Sequence, residues 1–218
     1  MDLTNYICLK NVNKVLKGKQ ILNNVDLQLE RGKTYVFAGR NASGKTMLFR
    51  AVSGLLTVDS GSVTVFGEPI SEKCIFPSNM GLIIETIEMW PHLTGLENLE
   101  LIASIRNIVS KNEMREALTS VGLDPDDKRK YKAYSMGMKQ KLALAQAIME
   151  KPELLVLDEP TNGLDEESVA LFREIIKKEK QRGVTCLIAT HQLDDVDGLY
   201  ESLYHMKNGE CIKGEDVC

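Results

Sequence analysis

The stretch GRNASGKT, residues 39–46, lies between the apolar run TYVFAG and the helix-like segment TMLFRAVSG. This is the strand–loop–helix context in which the spacing G-x-x-x-x-G-K-[ST] indicates a phosphate-binding loop. In such a loop the backbone amides at a helix N-terminus form a nest for anions, and the glycines let the backbone approach the phosphates. A turn that only caps the helix is the alternative, but the spacing together with its context favours phosphate binding.

The residue types of this loop predict separate roles. Lys45 brings a positive charge to the outer phosphates of a nucleotide, and the hydroxyl of Thr46 is a ligand for Mg²⁺. Gly39 and Gly44 remove side chains where the backbone must approach phosphate. The predicted nucleotide-binding residues of the loop are Gly39, Arg40, Asn41, Ala42, Ser43, Gly44, Lys45 and Thr46.

A pair of acids completes the predicted phosphate site. The continuous apolar run LLVL leads into Asp158 and Glu159, and such runs are typical of parallel strands that are buried on both faces. Ligands bind at the carboxyl ends of these strands. We therefore expect Asp158 to hold Mg²⁺ through water and Glu159 to accept a proton from an attacking water. Capping of the next helix is the alternative role for these acids.

Composition bounds the remaining possibilities. The 218 residues carry a formal net charge of −4, which argues against general nucleic-acid binding. No run approaches the roughly 20 apolar residues of a membrane span, and the first residues do not read as a secretion signal, so we expect a cytoplasmic protein. The five cysteines are scattered, which favours free thiols, and Cys186 lies in an apolar run as a core residue would.

The pattern along the chain predicts a single domain, residues 1–218, of the α/β class. Residues 1–94 and 151–218 alternate strand-like and helix-like segments, whereas residues 95–150 carry only helical spacing. We therefore expect an α/β core with an N-terminal β subdomain and a helical subdomain inserted at residues 95–150. The dipeptide Asn208-Gly209 predicts a hairpin near the end of the chain.

The segment YSMGMKQKLALAQAIM, ahead of LLVLDEPTNGLD, makes the resemblance specific. Together with the phosphate loop, it resembles the ATPase subunits of ATP-binding-cassette (ABC) transporters over nearly the whole chain. The resemblance implies a P-loop NTPase fold with a mixed-sheet core, an N-terminal antiparallel β subdomain and the inserted helical subdomain. The family usually reads L-S-G-G-Q where this chain has Tyr134 and then the signature residues Ser135, Met136, Gly137 and Met138.

The resemblance also implies how the site works. In this family two subunits sandwich two ATP molecules, each between the phosphate loop of one subunit and the signature segment of the other. It therefore implies a homodimer in the ATP-bound state, with ATP and Mg²⁺ as cofactors. Asp165 would end the inter-subunit loop, and His191 would reach the γ-phosphate and help Glu159 position the water. Ser135 is also suited to cap a helix, and the two roles are compatible.

Three departures from the family pattern bear on function. Glu85 stands where the family normally has a glutamine that touches Mg²⁺, and a carboxylate can still ligate the metal. Leu16 stands where an aromatic residue usually stacks on adenine, and Ala42 stands where relatives carry glycine. The pattern of Glu85 followed by PHLTGLENL resembles the one in exporters of lantibiotics, bacitracin and related antimicrobial peptides. A surface acid at a strand end is the alternative for Glu85.

These features predict an ATP-hydrolysing subunit that energises a separate integral membrane permease, in export of an antimicrobial peptide or drug. The permease would hold it at the inner face of the cell membrane. We expect no nucleic-acid partner. Importer ATPases, and soluble ABC-family ATPases that are not coupled to transport, are the alternatives. A kinase or GTPase is disfavoured because the guanine-reading N-K-x-D is absent.

Overall fold

The computed structural model describes residues 6–70, 76–85 and 88–216, and its strands form two sheets. A four-stranded antiparallel sheet has the order β2-β1-β4-β5, and a six-stranded mixed sheet has the order β10-β9-β3-β8-β7-β6. The strands are β1 (Ile7–Leu16), β2 (Lys19–Leu29), β3 (Thr34–Ala38), β4 (Ser60–Val65), β5 (Glu68–Pro69), β6 (Met80–Ile83), β7 (Leu154–Asp158), β8 (Thr185–Thr190), β9 (Ser202–Lys207) and β10 (Glu210–Asp216).

Five α-helices accompany the sheets in the described part of the chain. They are α1 (Lys45–Val52), α2 (Gly95–Ala103), α3 (Lys111–Ser120), α4 (Met136–Ile148) and α5 (Glu166–Gln181). Helices α2, α3 and α4 all lie within the range predicted as the helical subdomain. None of the helices in the described residues is both long enough and apolar enough to cross a membrane.

The central strands of the mixed sheet are buried on both faces, as their continuous apolar runs predict. In β7, Leu155 and Leu157 join the core cluster under the helices, whereas Leu154 and Val156 join the cluster shared with the antiparallel sheet. Alternate side chains of a strand point to opposite faces, so one apolar run fills both cores. Strands β9, β3, β8, β7 and β6 are parallel, and β10 is antiparallel at the edge.

Helix α1 packs between the two sheets and carries the phosphate loop at its first turn. Leu48, Phe49 and Val52 are fully buried, and the ring of Phe49 meets Phe37 of β3 edge-on with the ring centroids 5.4 Å apart. The first turn of the helix is fixed by this packing, because a displacement of α1 would open a gap in a close-packed core.

Several smaller predictions are confirmed. The mixed sheet, the antiparallel β subdomain and the hairpin at Asn208-Gly209 are all present. Cys186 is fully buried, and burial raises the pKa of its thiol to about 12. Cys8 and Cys211 are also free thiols, while Cys74 and Cys218 lie outside the described residues.

Candidate functional site

The predicted phosphate loop, acids and histidine meet at the edge of the mixed sheet where its parallel strands end. Strand β3 leads into the phosphate loop, β7 ends at Asp158, and β8 is followed directly by His191. Because these strands are neighbours in the order β3-β8-β7, their carboxyl ends bring the three segments side by side.

The backbone of the phosphate loop needs unusual conformations and close packing. A side chain at Gly39 would place its Cβ 2.5 Å from the carbonyl oxygen of Met206, and Gly44 has a φ of +112°. Ala42 has a φ of +63°, the left-handed conformation that costs a non-glycine residue about 1 kcal/mol. The alanine in this chain therefore occupies a position where glycine is favoured.

Lys45 is almost completely buried, and its charge faces the place where phosphates would bind. Its Nζ donates to the carbonyl oxygen of Gly39 at 2.6 Å and lies 3.4 Å from a carboxylate oxygen of Glu159. A buried ammonium group needs partners of this kind because desolvation penalises an unpaired charge. An incoming phosphate oxygen is a further anionic partner for the same group.

Thr46 and Asp158 form the part of the site suited to a magnesium ion. The hydroxyl of Thr46 donates to Oδ2 of Asp158 at 2.6 Å. Burial raises the pKa of Asp158, and the nearby charge of Glu159 raises it further, against the hydrogen bond from Thr46. Within the described residues, Oδ1 of Asp158 and Oγ of Ser43 are buried without a hydrogen-bond partner. A metal ion and its water would satisfy such an oxygen, so these residues fit Mg²⁺.

Glu159 and His191 are held together at the end of β7 and β8. Nδ1 of His191 lies 2.8 Å from Oε2 of Glu159, and the backbone N–H of Glu159 donates to the carbonyl oxygen of Ala189 at 2.8 Å. Glu159 has a φ of +49°, a strained backbone conformation that functional sites often contain. The two side chains therefore lie within hydrogen-bond distance, and their catalytic roles stay predictions.

A cleft of about 340 Å³ opens over the phosphate loop, Asp158 and Glu159, a volume typical of small-molecule sites. It is lined by Lys19, Ile21, Arg40, Asn41, Ala42, Ser43, Gly44, Lys45, Thr46, Met47, Glu85, Asp158 and Glu159. Leu16, the predicted adenine contact, is not part of this lining. It pairs with Lys19 at the tip of the β1–β2 hairpin and is partly exposed. Its contact with adenine stays a prediction, and Lys19 and Ile21 are the β2 residues that line the cleft.

The sequence is similar to those of known proteins over nearly its whole length. The family model described as ABC transporter matches residues 22–162. The chain is 40% identical over 207 residues to the uncharacterized ABC transporter ATP-binding protein YybJ of Bacillus subtilis, covering 95% of each protein. It is 35% identical to the bacitracin transport ATP-binding protein BcrA of Enterococcus faecalis, covering 95% of this chain and 68% of BcrA.

The chain belongs to the ABC transporter family. It is also 34% identical to the lantibiotic transport ATP-binding protein SrtF of Streptococcus pyogenes, covering 94% of this chain and 88% of SrtF. The structure solved as the dimeric structure of MJ0796, a bacterial ABC transporter cassette, has the same fold, with a TM-score of 0.88 at 23% identity over 97% of this chain and 99% of that one. The chain is thus the ATP-binding, ATP-hydrolysing subunit of an ABC transporter, as predicted.

Within this cassette, the signature segment begins helix α4. Ser135 caps the helix, and its hydroxyl accepts from the backbone N–H of Met138 at 3.2 Å, so the expected capping role is confirmed. The side chain of Met136 is two-thirds exposed and covers Gly163, where an added Cβ would lie 3.0 Å from it. Gly137 also approaches Gly163, because a Cβ added at Gly137 would lie 3.1 Å from the carbonyl oxygen of Gly163.

Asp165 caps helix α5 in this cassette. Its carboxylate accepts from the backbone N–H of Ser168 at 2.9 Å, and hydrogen bonds from Ser168 hold the pKa of Asp165 below its usual value. The end of the TNGLD segment is therefore fixed by a helix cap, and its inter-subunit role stays a prediction.

Glu85 lies beyond the end of β6, at the margin of the cleft. Its φ is +58°, and Oε2 of its carboxylate lies 2.9 Å from a guanidinium nitrogen of Arg50 in α1. The described residues hold no cluster of three or more His, Cys, Asp and Glu side chains that could bind a metal ion by themselves. The predicted metal set of Thr46, Glu85 and Asp158 contains a hydroxyl and only two carboxylates, so this absence does not test it.

Two polar contacts at the cassette's site are missing from the sequence prediction. Gln140 of α4 donates to the carbonyl oxygen of Pro160 at 2.9 Å and thereby ties the signature helix to the segment after Glu159. Arg50 pairs with Glu85 across two elements. Neither contact has a sequence signal, because each joins residues that only the tertiary fold brings together.

Proposed function

We propose that this ABC subunit binds Mg²⁺ with ATP at the cleft of Lys45, hydrolyses the ATP with Glu159 as base, and thereby powers export of an antimicrobial peptide through a separate permease. The observation that carries the hydrolytic part is the position of Glu159, which lies between Lys45 at 3.4 Å and His191 at 2.8 Å. A carboxylate beside a phosphate-binding lysine is well placed to receive a proton from the attacking water.

The phosphate loop and the charged residues around it have defined tasks in this proposal. The backbone amides of residues 41–46 and the ammonium group of Lys45 bind the phosphates. His191, directly after β8, orients Glu159 through the contact between Nδ1 and Oε2. Thr46 and Asp158 would hold Mg²⁺, which when bound neutralises charge on the phosphates. Glu85 stays a candidate third ligand.

We further propose that a second copy of the chain closes the cleft. Ser135 lies at the N-terminus of α4, where the helix dipole and the free backbone amides attract an anion. The exposed side chain of Met136 beside it is an apolar surface that a partner would bury. The MJ0796 cassette was solved as a dimer. A head-to-tail pair would place Ser135 of one copy against the γ-phosphate bound by the other.

The peptide substrate is proposed from the relatives. BcrA is named a bacitracin transport protein and SrtF a lantibiotic transport protein, and this chain is 35% and 34% identical to them. Both names describe transport of an antimicrobial peptide, the substrate class that Glu85 and the following PHLTGLENL also indicate. Export of such a peptide is the transport that fits this chain.

The permease has a candidate docking groove on the helical side of the chain. The groove has a volume of about 390 Å³ and lies where α2 and α4 end near the start of β6. Phe76 and Ile105 stand largely exposed at its sides, 62% and 80%, and the Arg106–Glu150 ion pair offers both charges to a partner. Docking there would keep the subunit at the cytoplasmic face of the membrane.

The proposal is tested by reconstitution of the chain with a candidate membrane permease. ATP hydrolysis of the purified complex is measured as phosphate release with bacitracin, a lantibiotic, an amino acid or a sugar added in turn. Stimulation by one of the peptides supports the proposal, whereas stimulation only by the sugar or the amino acid contradicts it. An Ile105→Glu variant should no longer bind the permease but should still bind ATP. If the variant still binds the permease, this groove is not the docking site.

A further inference from the structure

An ion pair joins the phosphate-loop helix to the segment after β6 at the margin of the nucleotide cleft. Arg50 lies in the last turn of α1, the helix whose first turn carries Lys45 and Thr46. Its guanidinium group lies 2.9 Å from Oε2 of Glu85, and Glu85 lines the cleft together with Thr46 and Asp158. The carboxylate next to the proposed metal site is therefore already engaged by a cation.

The three carboxylates at this end of the sheet have different partners. Glu159 contacts Lys45 and His191, and Asp158 accepts from the hydroxyl of Thr46. Glu85 is paired with Arg50, and the pair is partly exposed, with 33% of the Arg50 side chain and 54% of the Glu85 side chain accessible. A guanidinium group carries one charge and Mg²⁺ carries two, so a metal ion beside Thr46 and Asp158 competes with Arg50 for Glu85.

The backbone at Glu85 also bears on the release of its carboxylate. Its φ of +58° is a conformation that residues other than glycine adopt at a cost. The pair with Arg50 offsets that cost in the conformation seen here. When another ligand takes the carboxylate, both the pair and the reason to keep this backbone conformation are lost.

We propose that Arg50 is a positioning residue that holds Glu85 against α1 until Mg²⁺ enters with the nucleotide, and then releases the carboxylate to the metal. The proposal rests on the magnesium–ATP site put forward above. The proposal depends on a glutamate at position 85. A glutamine there would carry no charge for Arg50 to hold. Arg50 thus sets how strongly nucleotide binding depends on the metal.

The test measures equilibrium binding of the fluorescent analogue trinitrophenyl-ATP to the purified chain, once with Mg²⁺ and once with EDTA. The ratio of the dissociation constant in EDTA to that in Mg²⁺ is the metal factor. Removal of a partly exposed ion pair is worth a small factor, so Arg50→Gln should raise the metal factor roughly two- to fivefold. Arg50→Lys keeps the charge and should stay near the wild-type metal factor.

The decisive comparison is a double-mutant cycle with Glu85→Gln. This variant should lower the metal factor, and the Arg50→Gln/Glu85→Gln double variant should equal Glu85→Gln alone, because Arg50 then has nothing to hold. Arg115→Gln is the matched control: Arg115 pairs with Asp126, and its side chain is 34% exposed, close to the 33% of Arg50. It should leave the metal factor unchanged.

Two results would overturn the proposal and leave the magnesium site intact. One is an Arg50→Gln variant whose metal factor equals that of the wild type. The other is an equal effect of Arg50→Gln in the wild-type and Glu85→Gln backgrounds, which would mean that Arg50 acts only by repelling the metal. A metal factor of one in every variant would instead contradict the magnesium site itself, and this proposal with it.

Discussion

At the scale of single residues, the proposed chemistry depends on how Glu159 is held. Its carboxylate contacts Lys45 and His191, and its backbone is left-handed. A group held by two side chains and a strained backbone has few positions open to it, which suits a base that must meet one water.

Glu159→Gln should keep ATP binding and lose at least about 100-fold in turnover, because an amide cannot accept the proton. Phosphate release and trinitrophenyl-ATP binding measure the two properties separately. Asp126→Asn makes the same carboxylate-to-amide change in the surface ion pair with Arg115, away from the site, and should leave both properties unchanged. Turnover within a few-fold of wild type in Glu159→Gln would remove Glu159 as the base.

Ala42→Gly should raise the free energy of unfolding by about 0.5 kcal/mol, since relief of the left-handed alanine exceeds the entropy that glycine adds to the unfolded chain. Urea unfolding measures this change. Gly44→Ala is the opposite control, because its φ is +112° and its Cβ would lie 2.9 Å from the carbonyl oxygen of Ile21. An Ala42→Gly variant that is less stable than wild type would contradict this account of the loop.

At the scale of elements, the helical segments begin with reciprocal caps. Thr94 and Glu97 form a capping box at α2, and Ser110 and Glu113 form one at α3. The backbone N–H of Thr94 and then Lys130 lower the pKa of Glu97 to about 2. Lys151 and then the backbone N–H of Ser110 lower the pKa of Glu113 to about 2.

These pKa values predict acid sensitivity of α2 and α3. A carboxyl whose pKa is lower in the folded state contributes stability above its unfolded pKa of about 4.3, and the contribution is lost as the pH falls towards 2. Helicity followed by circular dichroism should therefore fall between about pH 4 and pH 2. A Glu97→Gln/Glu113→Gln variant should be less stable at pH 7 and lose less on acidification. An unchanged pH dependence in that variant would show that other carboxyls control the transition.

The sequence predicts the elements better than the contacts between them. The runs LLVL and TCLIAT indicate strands buried on both faces, and the loop at residues 39–46 indicates the helix that follows it, because these signals are local in the chain. The pairing of Arg50 with Glu85 and the contact of Met136 with Gly163 could not be predicted, since each depends on how separate elements pack. The sequence shows that position 16 lacks the usual aromatic residue. It does not show that Lys19 and Ile21 line the cleft.

At the scale of the whole molecule, one copy supplies only part of the proposed nucleotide site. The phosphate loop, Asp158, Glu159 and His191 gather at one edge of the mixed sheet, whereas Ser135 caps a helix of the helical segment in the same copy. Gln140 ties that helix to the segment after Glu159, so the signature helix and the proposed base of one copy are linked by a hydrogen bond. In the proposed dimer, ATP would be the ligand that holds two copies together, and its hydrolysis would let them separate.

The most direct measurement is the mass in solution of the Glu159→Gln variant with saturating ATP and Mg²⁺, by light scattering on a gel-filtration column. The chain has a mass of 24.4 kDa. The proposed head-to-tail closure predicts a species of twice that mass with ATP, return to a single chain without nucleotide, and no dimer in a Lys45→Ala/Glu159→Gln variant that cannot grip the phosphates. A Glu159→Gln variant that binds ATP fully and yet stays at the mass of one chain would contradict the shared site.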